Sequence, residues 1–420
     1  MAFWRRFLQR EETDSLAACT ALDVGTEFAK ALVFEIEQGR QGVVRGVGRK
    51  RQGLSHMQSG TVADIAAVVD NCQVALQEAE EMAGFRSSQV VIGIAGELVK
   101  GFTISHDQER RRPDQPITDQ ELQRLIDSVQ REALREAERA ITWETGLPNA
   151  EIRLVHAAVT GATIDGYVVT NPVGFQGRHV RISIFNAFAP LVHLGALQSV
   201  ASQLDLELLA IVAEPYAVAR CLGGDQVQQA GALFIDVGGG TTDVALVRSG
   251  GVEGTRMFAL GGRAFTKSLA DRLDLPFGRA EELKVDFAKG VAIDRVQEVA
   301  GIIGEDVAVW SAGIELVLEE FGRDALLPGR IYLCGGGSRL PQIPAALRDP
   351  SFAKDLPFAR PPVIDAIEPG QVEAIRDETG LLVDVQDIPP LGLAFQAIEM
   401  AAPEAPLDAA LRKVLRVMRV

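Results

Sequence analysis

The stretch Ile235-Asp236-Val237-Gly238-Gly239-Gly240-Thr241-Thr242-Asp243 joins an apolar strand to three consecutive glycines and a hydroxyl-rich, acidic return. Three glycines in a row cost backbone entropy and bury no side chain, so packing does not account for them. Close approach of the backbone to a ligand does. An earlier stretch repeats the design: Ala21 to Val24 is an apolar strand, Asp23-Val24-Gly25-Thr26 turns the chain, Ala31 to Ile36 returns, and Lys30 adds an ammonium. Backbone N–H groups, a hydroxyl and an ammonium around one tight turn suit an anionic phosphate. Asp-x-Gly-Thr alone is common in β-hairpins, so the first segment gains its weight from the second. The two copies, about 210 residues apart, predict two related lobes. Asp23 and Asp236 close their strands and are expected to face each other across a cleft, holding a magnesium ion through its waters.

A third glycine turn follows the apolar run that ends at Leu333-Cys334. Gly335, Gly336 and Gly337 lead through Ser338 and Arg339 into a short helix, whose N-terminus can face a nucleotide. An ordinary strand-to-helix connection has the same local look. Three such turns in one order share an explanation that no single turn supplies.

With 420 residues, 47% of them hydrophobic, the chain can bury two cores. The net charge is −15, while residues 1–10 carry Arg5, Arg6 and Arg10 and residues 407–420 carry four cations against Asp408. Positive charge is kept for the ends, and the acidic body disfavours nucleic acid as a partner. The four cysteines are far apart with no CxxC pair, which argues against a zinc site. The longest uncharged run, Ile182 to Leu204, contains Asn186, Pro190 and His193 and makes a poor bilayer span, so no transmembrane helix is expected.

Between the two hairpins, Thr118 and Glu121 form a capping box ahead of Leu122, Leu125, Ile126 and Val129, which predicts a helix to about Ala140. Strand-like runs follow at 152–155, 159–164, 167–170 and 180–185, with Asp165-Gly166 as a hairpin turn. Pro190 opens a helix, Leu206 to Val212 is a buried strand, and Glu214-Pro215 ends it. Helical patterns fill 264–325. At the C-terminus Leu407, Leu411, Val414, Leu415 and Met418 share one stripe, with Arg412, Lys413, Arg416 and Arg419 opposite. This pattern reads as an amphipathic helix for an anionic membrane surface. A terminal helix docking its stripe on the protein body has the same pattern. Phe3-Trp4, Phe7 and Leu8 with the three arginines form a second, shorter amphipathic segment or a simple leader.

The order of first phosphate loop, Glu-Pro junction, second phosphate loop and Gly-Gly-Gly-Ser loop resembles the superfamily of actin, heat-shock chaperone ATPases and sugar kinases. The resemblance covers residues 17–400 and implies an α/β actin-like ATPase fold, two lobes each with a mixed sheet flanked by helices, with ATP and magnesium between them. It implies that Asp23, Gly25, Thr26 and Lys30 serve the phosphates from one lobe, and Gly238, Gly239, Gly240 and Thr241 from the other. Gly261 and Gly262 fall among its nucleotide-binding positions, the pair Glu281 and Lys284 where it flanks the nucleoside, and Gly335, Gly336, Gly337, Ser338 and Arg339 in the loop under the base. Glu214 and Asp236 fall where it holds the catalytic water and metal. Glu214 also fits a plain helix cap, and Glu281 with Lys284 a surface ion pair.

Within that superfamily the segment 98–187 resembles the extra subdomain of the bacterial cell-division family FtsA, above all in Asn171-Pro172-Val173-Gly174-Phe175-Gln176-Gly177. Leu260-Gly261-Gly262, Phe265-Thr266 and Ala280-Glu281-Glu282-Leu283-Lys284 extend the likeness into the second lobe. The implied organisation is a 1–16 leader, a first lobe of 17–97 and 188–230, and a 98–187 α+β insert. A second-lobe core of 231–268 and 326–400 follows, with a helical subdomain at 269–325, a linker at 401–406 and a membrane helix at 407–420. The family implies a peripheral protein of the cytoplasmic membrane face that assembles with itself into filaments and tethers the FtsZ C-terminal peptide at the septum, with nucleotide binding ahead of efficient turnover. A PilM-like adaptor of a pilus or secretion platform is the alternative. The run Gln108-Glu109-Arg110-Arg111-Arg112-Pro113 departs from the FtsA pattern.

Overall fold

The first phosphate-type turn lies between β1 (Ala18–Val24) and β2 (Phe28–Glu37), an antiparallel pair with Asp23 opposite Lys30. In this computed structural model, which describes residues 18–38, 40–146, 151–222, 225–248, 250–403 and 405–418, the chain continues into β3 (Gln41–Arg51) and a short hairpin of β4 (Met57–Gln58) and β5 (Thr61–Val62). The sequence-predicted leader, with Phe3 and Trp4, and the terminal Arg419 lie outside the described residues. Helix α1 (Ile65–Ala83) starts at Asp64, whose side chain accepts from Ala67 N, and stops at Gly84 in the left-handed region. It crosses back to β6 (Gln89–Ile94), which runs parallel to β1.

The insert comprises β7 (Lys100–Glu109), α2 (Asp119–Thr145), β8 (Ile152–Ile164), β9 (Tyr167–Val168) and β10 (His179–Pro190). Thr118 caps α2 by accepting from Glu121 N at 3.2 Å, and Asp165 and Gly166, both at positive φ, turn β8 into β9 as the sequence predicts. Helix α3 (Leu191–Gln203) follows Pro190, and β11 (Glu207–Ala213) then pairs parallel with β6. After α4 (Glu214–Cys221) and α5 (Asp225–Ala230) come β12 (Ala232–Val237), β13 (Thr242–Arg248) and β14 (Gly251–Phe258). Helices α6 (Gly262–Leu273), α7 (Phe277–Ala288) and α8 (Val296–Phe321) lead to β15 (Arg330–Cys334), α9 (Gln342–Arg348), β16 (Val363–Ala366) and β17 (Ile375–Asp377). The chain ends with α10 (Ile388–Ala401) and α11 (Pro406–Met418).

Two sheets carry the fold. Their strand orders, β11-β6-β1-β2-β3 and β16-β15-β12-β13-β14, are the same arrangement of two parallel neighbours and an antiparallel meander. The duplicated lobes expected from the two hairpins are therefore present. Buried Leu22, Ile92 and Val200 belong to one core, and Ile235, Phe265 and Trp310 to the other.

Three features depart from the sequence-based boundaries. First, the insert does not stand apart: β7 pairs with β14 through Gly101 opposite Thr255 and Phe102 opposite Gly254, so its strands extend the second-lobe sheet as β14-β7-β10-β8-β9. An open strand edge is a site for further pairing, and β7 covers that of β14. Second, the 326–400 segment is not all second lobe, since β17 pairs with β3 and α10 packs on β1, β2 and β6. Third, α4 follows a first-lobe strand but packs on β12, β13 and β14. The helices α4 and α10 thus lie against each other where the lobes meet, and their Tyr216, Ala217, Leu391 and Ala394 join one core between the sheets.

Candidate nucleotide cleft

Where β1 and β12 end, the two glycine turns meet. A Cβ at Gly240 would lie 2.7 Å from Thr26 Oγ1, and one at Gly239 would lie 2.9 Å from Glu27 Cβ. Only glycine lets the loops approach so closely. The second loop is backed by α6, because Gly262 N donates to Gly238 O and Arg263 N to Gly239 O, both at 2.8 Å. Its outgoing strand is pinned by Thr242, whose hydroxyl donates to Leu260 O and accepts from the buried indole of Trp310 at 2.9 Å. The third glycine turn closes in from the side: Gly335 has φ +79° and leaves no room for a Cβ beside Asp236 Oδ1.

These turns wall a cavity of about 310 Å³. Asp23, Gly25, Thr26, Lys30, Glu214, Asp236, Gly238, Gly239, Gly240, Thr241, Gly262, Glu281, Lys284, Gly335, Gly336, Gly337 and Arg339 all line it. Ser338 and Gly261 do not. The Ser338 hydroxyl donates to Gly335 O within its own loop, and Gly261 packs against Gly238 O, so both support the wall from behind.

In the cavity the carboxylates of Asp23, Glu214, Asp236 and Asp243 gather around Lys30. Lys30 Nζ donates to Asp23 Oδ2 at 2.8 Å and to Gln386 O at 2.9 Å. Burial alone would lower that ammonium, but Asp23, Asp236 and Asp387 hold it above its usual range. Burial pushes the Asp236 carboxyl up to about 6 and, with Asp236 nearby, that of Asp243 up to about 8. Glu214 is raised well above the carboxylate range, first by burial and then by Asp23, Asp243 and Asp236. Asp236 Oδ1 and Asp243 Oδ1 are buried with no hydrogen-bond partner, and this set of carboxylate oxygens fits a bound cation. Among the described residues no group of three acidic, thiol or imidazole side chains is arranged to ligate one ion directly.

On the opposite wall Glu281 and Lys284 pair at 2.8 Å, and both are buried, so a solvated surface pair is excluded. Lys284 Nζ also donates to Gly262 O and Thr266 Oγ1. Burial works against the Glu281 carboxylate, yet Lys284, Thr266 and Arg51 hold it below its usual range. At the mouth Glu27 accepts from Arg51 of the same lobe at 2.6 Å and from Arg263 of the other at 2.8 Å. Sequence reading missed Asp243, Glu27, Gly60, Arg263 and Gln386. Asp243 stood inside the quoted motif as a strand opener, and Glu27 directly after Thr26. Gln386 offers only a main-chain carbonyl, for which sequence carries no signal.

From Leu407 to Leu415 the C-terminal stripe is docked, and the side chains of Arg416 and Met418 lie outside the described residues. Leu407, Leu411 and Val414 are buried and Leu415 is partly buried against the insert, while Lys413 is exposed. The pattern shared by lipid binding and docking on the protein body is thus occupied by docking here. No described helix is long and apolar enough to cross a membrane.

The family described as Cell division protein FtsA matches residues 233–375. The Cell division protein FtsA of Pseudomonas aeruginosa is 26% identical over 347 residues, covering 76% of this chain and 77% of that protein. That of Agrobacterium fabrum is 26% identical, covering 81% of each. Among solved structures, a chain of the PilM-PilN type IV pilus biogenesis complex superposes with a TM-score of 0.63 at 18% identity, over 92% of this chain and 99% of that one. The diol dehydratase-reactivating factor in nucleotide-free form gives 0.50 at 11% identity, over 91% and 100%.

Proposed function

We propose that the chain is an FtsA-like member of the actin-like ATPases that binds ATP with magnesium between its lobes and assembles head to tail on the cytoplasmic face of the cell membrane. There it tethers the division ring through the C-terminal peptide of FtsZ. One observation carries the nucleotide reading: two glycine turns from different lobes touch over a cavity whose buried carboxylate oxygens lack partners. Asp23 and Asp236 would hold the magnesium ion through water, and the bound ion would neutralise phosphate charge. The residues of the chain do the rest. Thr26, Lys30 and the Gly238–Thr241 turn cradle the phosphates, the Glu281–Lys284 wall and the Gly335–Arg339 turn hold the nucleoside, and Glu214 orients water.

Heterologous head-to-tail contacts that do not close a ring produce filaments. Along a filament, weak insertions of α11 add through effective concentration. Its basic residues contribute roughly 1 kcal/mol each near anionic lipid. Calorimetry of the full chain with ATP and magnesium tests the cleft: saturable uptake that Asp236→Ala abolishes is expected, and no uptake by the native chain sinks the reading. The likeness to the PilM chain supports a second reading, an adaptor of a pilus or secretion platform. Vesicle sedimentation separates the two, since loss of binding on deleting residues 407–420 favours the division role.

A further inference from the structure

One apolar face cannot lie in a bilayer and in a protein groove at the same time. Leu407, Ala410, Leu411 and Val414 of α11 are each at most 8% exposed. They share a cluster with Leu122, Leu125 and Val129 of α2 and with Ala162 and Ile164 of β8, the two elements that α11 packs against. The interlobe helices meet the same insert through β8, which both α11 and Tyr216 of α4 pack against, and the charge of Asp408 is felt at Tyr216 and Arg220. Arg220 pairs with Glu399 of α10 at 2.5 Å, and Tyr216 meets His156 of β8 edge-on with ring centroids 4.5 Å apart.

The ends opposite Arg220 and Glu399 are in the cleft. Glu214 opens α4, Pro389 lies in the first turn of α10, and both line the cavity; Gln386, just before α10, accepts from Lys30. Between their ends α4 and α10 are in close contact, since a Cβ at Gly392 would come within 2.9 Å of the Ala217 backbone. Two interlocked helices therefore link the phosphate site to β8, one of the two elements on which the tail is seated.

We propose that α11 is a latch: docked on the insert it is withheld from lipid, and the α4–α10 pair passes the state of the cleft to it, so that nucleotide sets how readily the tail leaves for a membrane. The inference rests on the membrane reading above. Apparent membrane affinity is then the intrinsic affinity reduced by the fraction of tails undocked. Docked and undocked α11 are the two states that a coupling mechanism requires.

The test is hydrogen exchange on the full chain with phosphatidylglycerol vesicles, with and without ATP and magnesium, for the native protein and Arg220→Gln. Vesicles are expected to protect 406–415 and to raise exchange in 119–129 and 152–164, where the groove is vacated. Arg220→Gln should bind vesicles roughly tenfold more tightly and lose most of its response to nucleotide. Protection of the tail with an unchanged groove overturns the latch and leaves the membrane reading standing. No vesicle binding by either protein removes the membrane reading and the latch together. A nucleotide effect that is equal in both proteins, or absent from both, removes the α4–α10 coupling. If Arg220→Gln does not fold, the native exchange pattern decides alone.

Discussion

Asp243 takes a hydrogen bond from Thr241 on one carboxylate oxygen and buries the other without a partner. Its carboxyl rises from 3.8 to about 8, first because burial penalises the charge and then because Asp236 is near. With a folded value above the unfolded one, its contribution to stability is complete below 3.8 and is lost as pH climbs towards 8. Asp243→Asn keeps the Thr241 bond and removes the titration. Its stabilising effect on the nucleotide-free protein should therefore grow from pH 5 to pH 8, by on the order of 2–4 kcal/mol. Thermal melts at the two pH values check this, and an equal shift at both would show that Asp243 is not the titrating group. Gly240 is the other residue whose role is steric: Gly240→Ala sets a methyl against Thr26 and wedges the loops apart. About a tenfold loss of ATP affinity is expected by calorimetry, with the melting temperature little changed. Both residues stood in the first motif read, because three glycines between apolar strands have few other uses. The unpartnered oxygen was not legible, since it depends on which strands from elsewhere seal the cavity.

At the scale of elements, local rules did most of the prediction. The Thr118 cap, the Asp165-Gly166 turn and the Pro190 helix start were readable because each is settled within a few residues. The seam between β7 and β14 was not, because strand partners about 150 residues apart leave no local mark. The tail fared similarly: its stripe predicts an apolar partner, and periodicity cannot say whether that is lipid or α2. The basic run that departs from the FtsA pattern has a structural use. Arg110 is buried, pairs with Glu121 through Nε at 2.7 Å, and donates to Gly177 O and Gln115 O. It ties β7, the start of α2 and the loop before β10 together, and holds the Glu121 carboxylate below its usual range. Arg110→Ala leaves two carbonyls and a carboxylate without their donor, and should destabilise the insert by about 2–4 kcal/mol. Hydrogen exchange confined to 108–129 and 172–180 would report the loss, whereas an unchanged insert would make Arg110 a surface charge in effect.

For the whole molecule, the angle between the lobes is set by two layers of contact, and only the outer one can be removed without touching the core. Beneath the cleft, α4 and α10 interlock through apolar side chains that no point change can part gently. At the mouth, Glu27 of the first lobe accepts from Arg263 of the second, and Arg263 also donates to Leu54 O and Gly53 O. Arg51 stands 3.9 Å from Glu281 across the same gap. These partly buried, charge-assisted bonds oppose opening, and truncating one partner of such a pair acts mainly on dissociation. Glu27→Gln keeps the shape of the side chain and removes its charge, so both arginines lose an anion while the phosphate turns keep their geometry. Release of a fluorescent ATP analogue should therefore quicken by about three- to tenfold, with association nearly unchanged. Stopped-flow displacement measures both rates. Unchanged release would mean that the helix pair alone sets the closure, and that the mouth pairs follow the lobes instead of holding them.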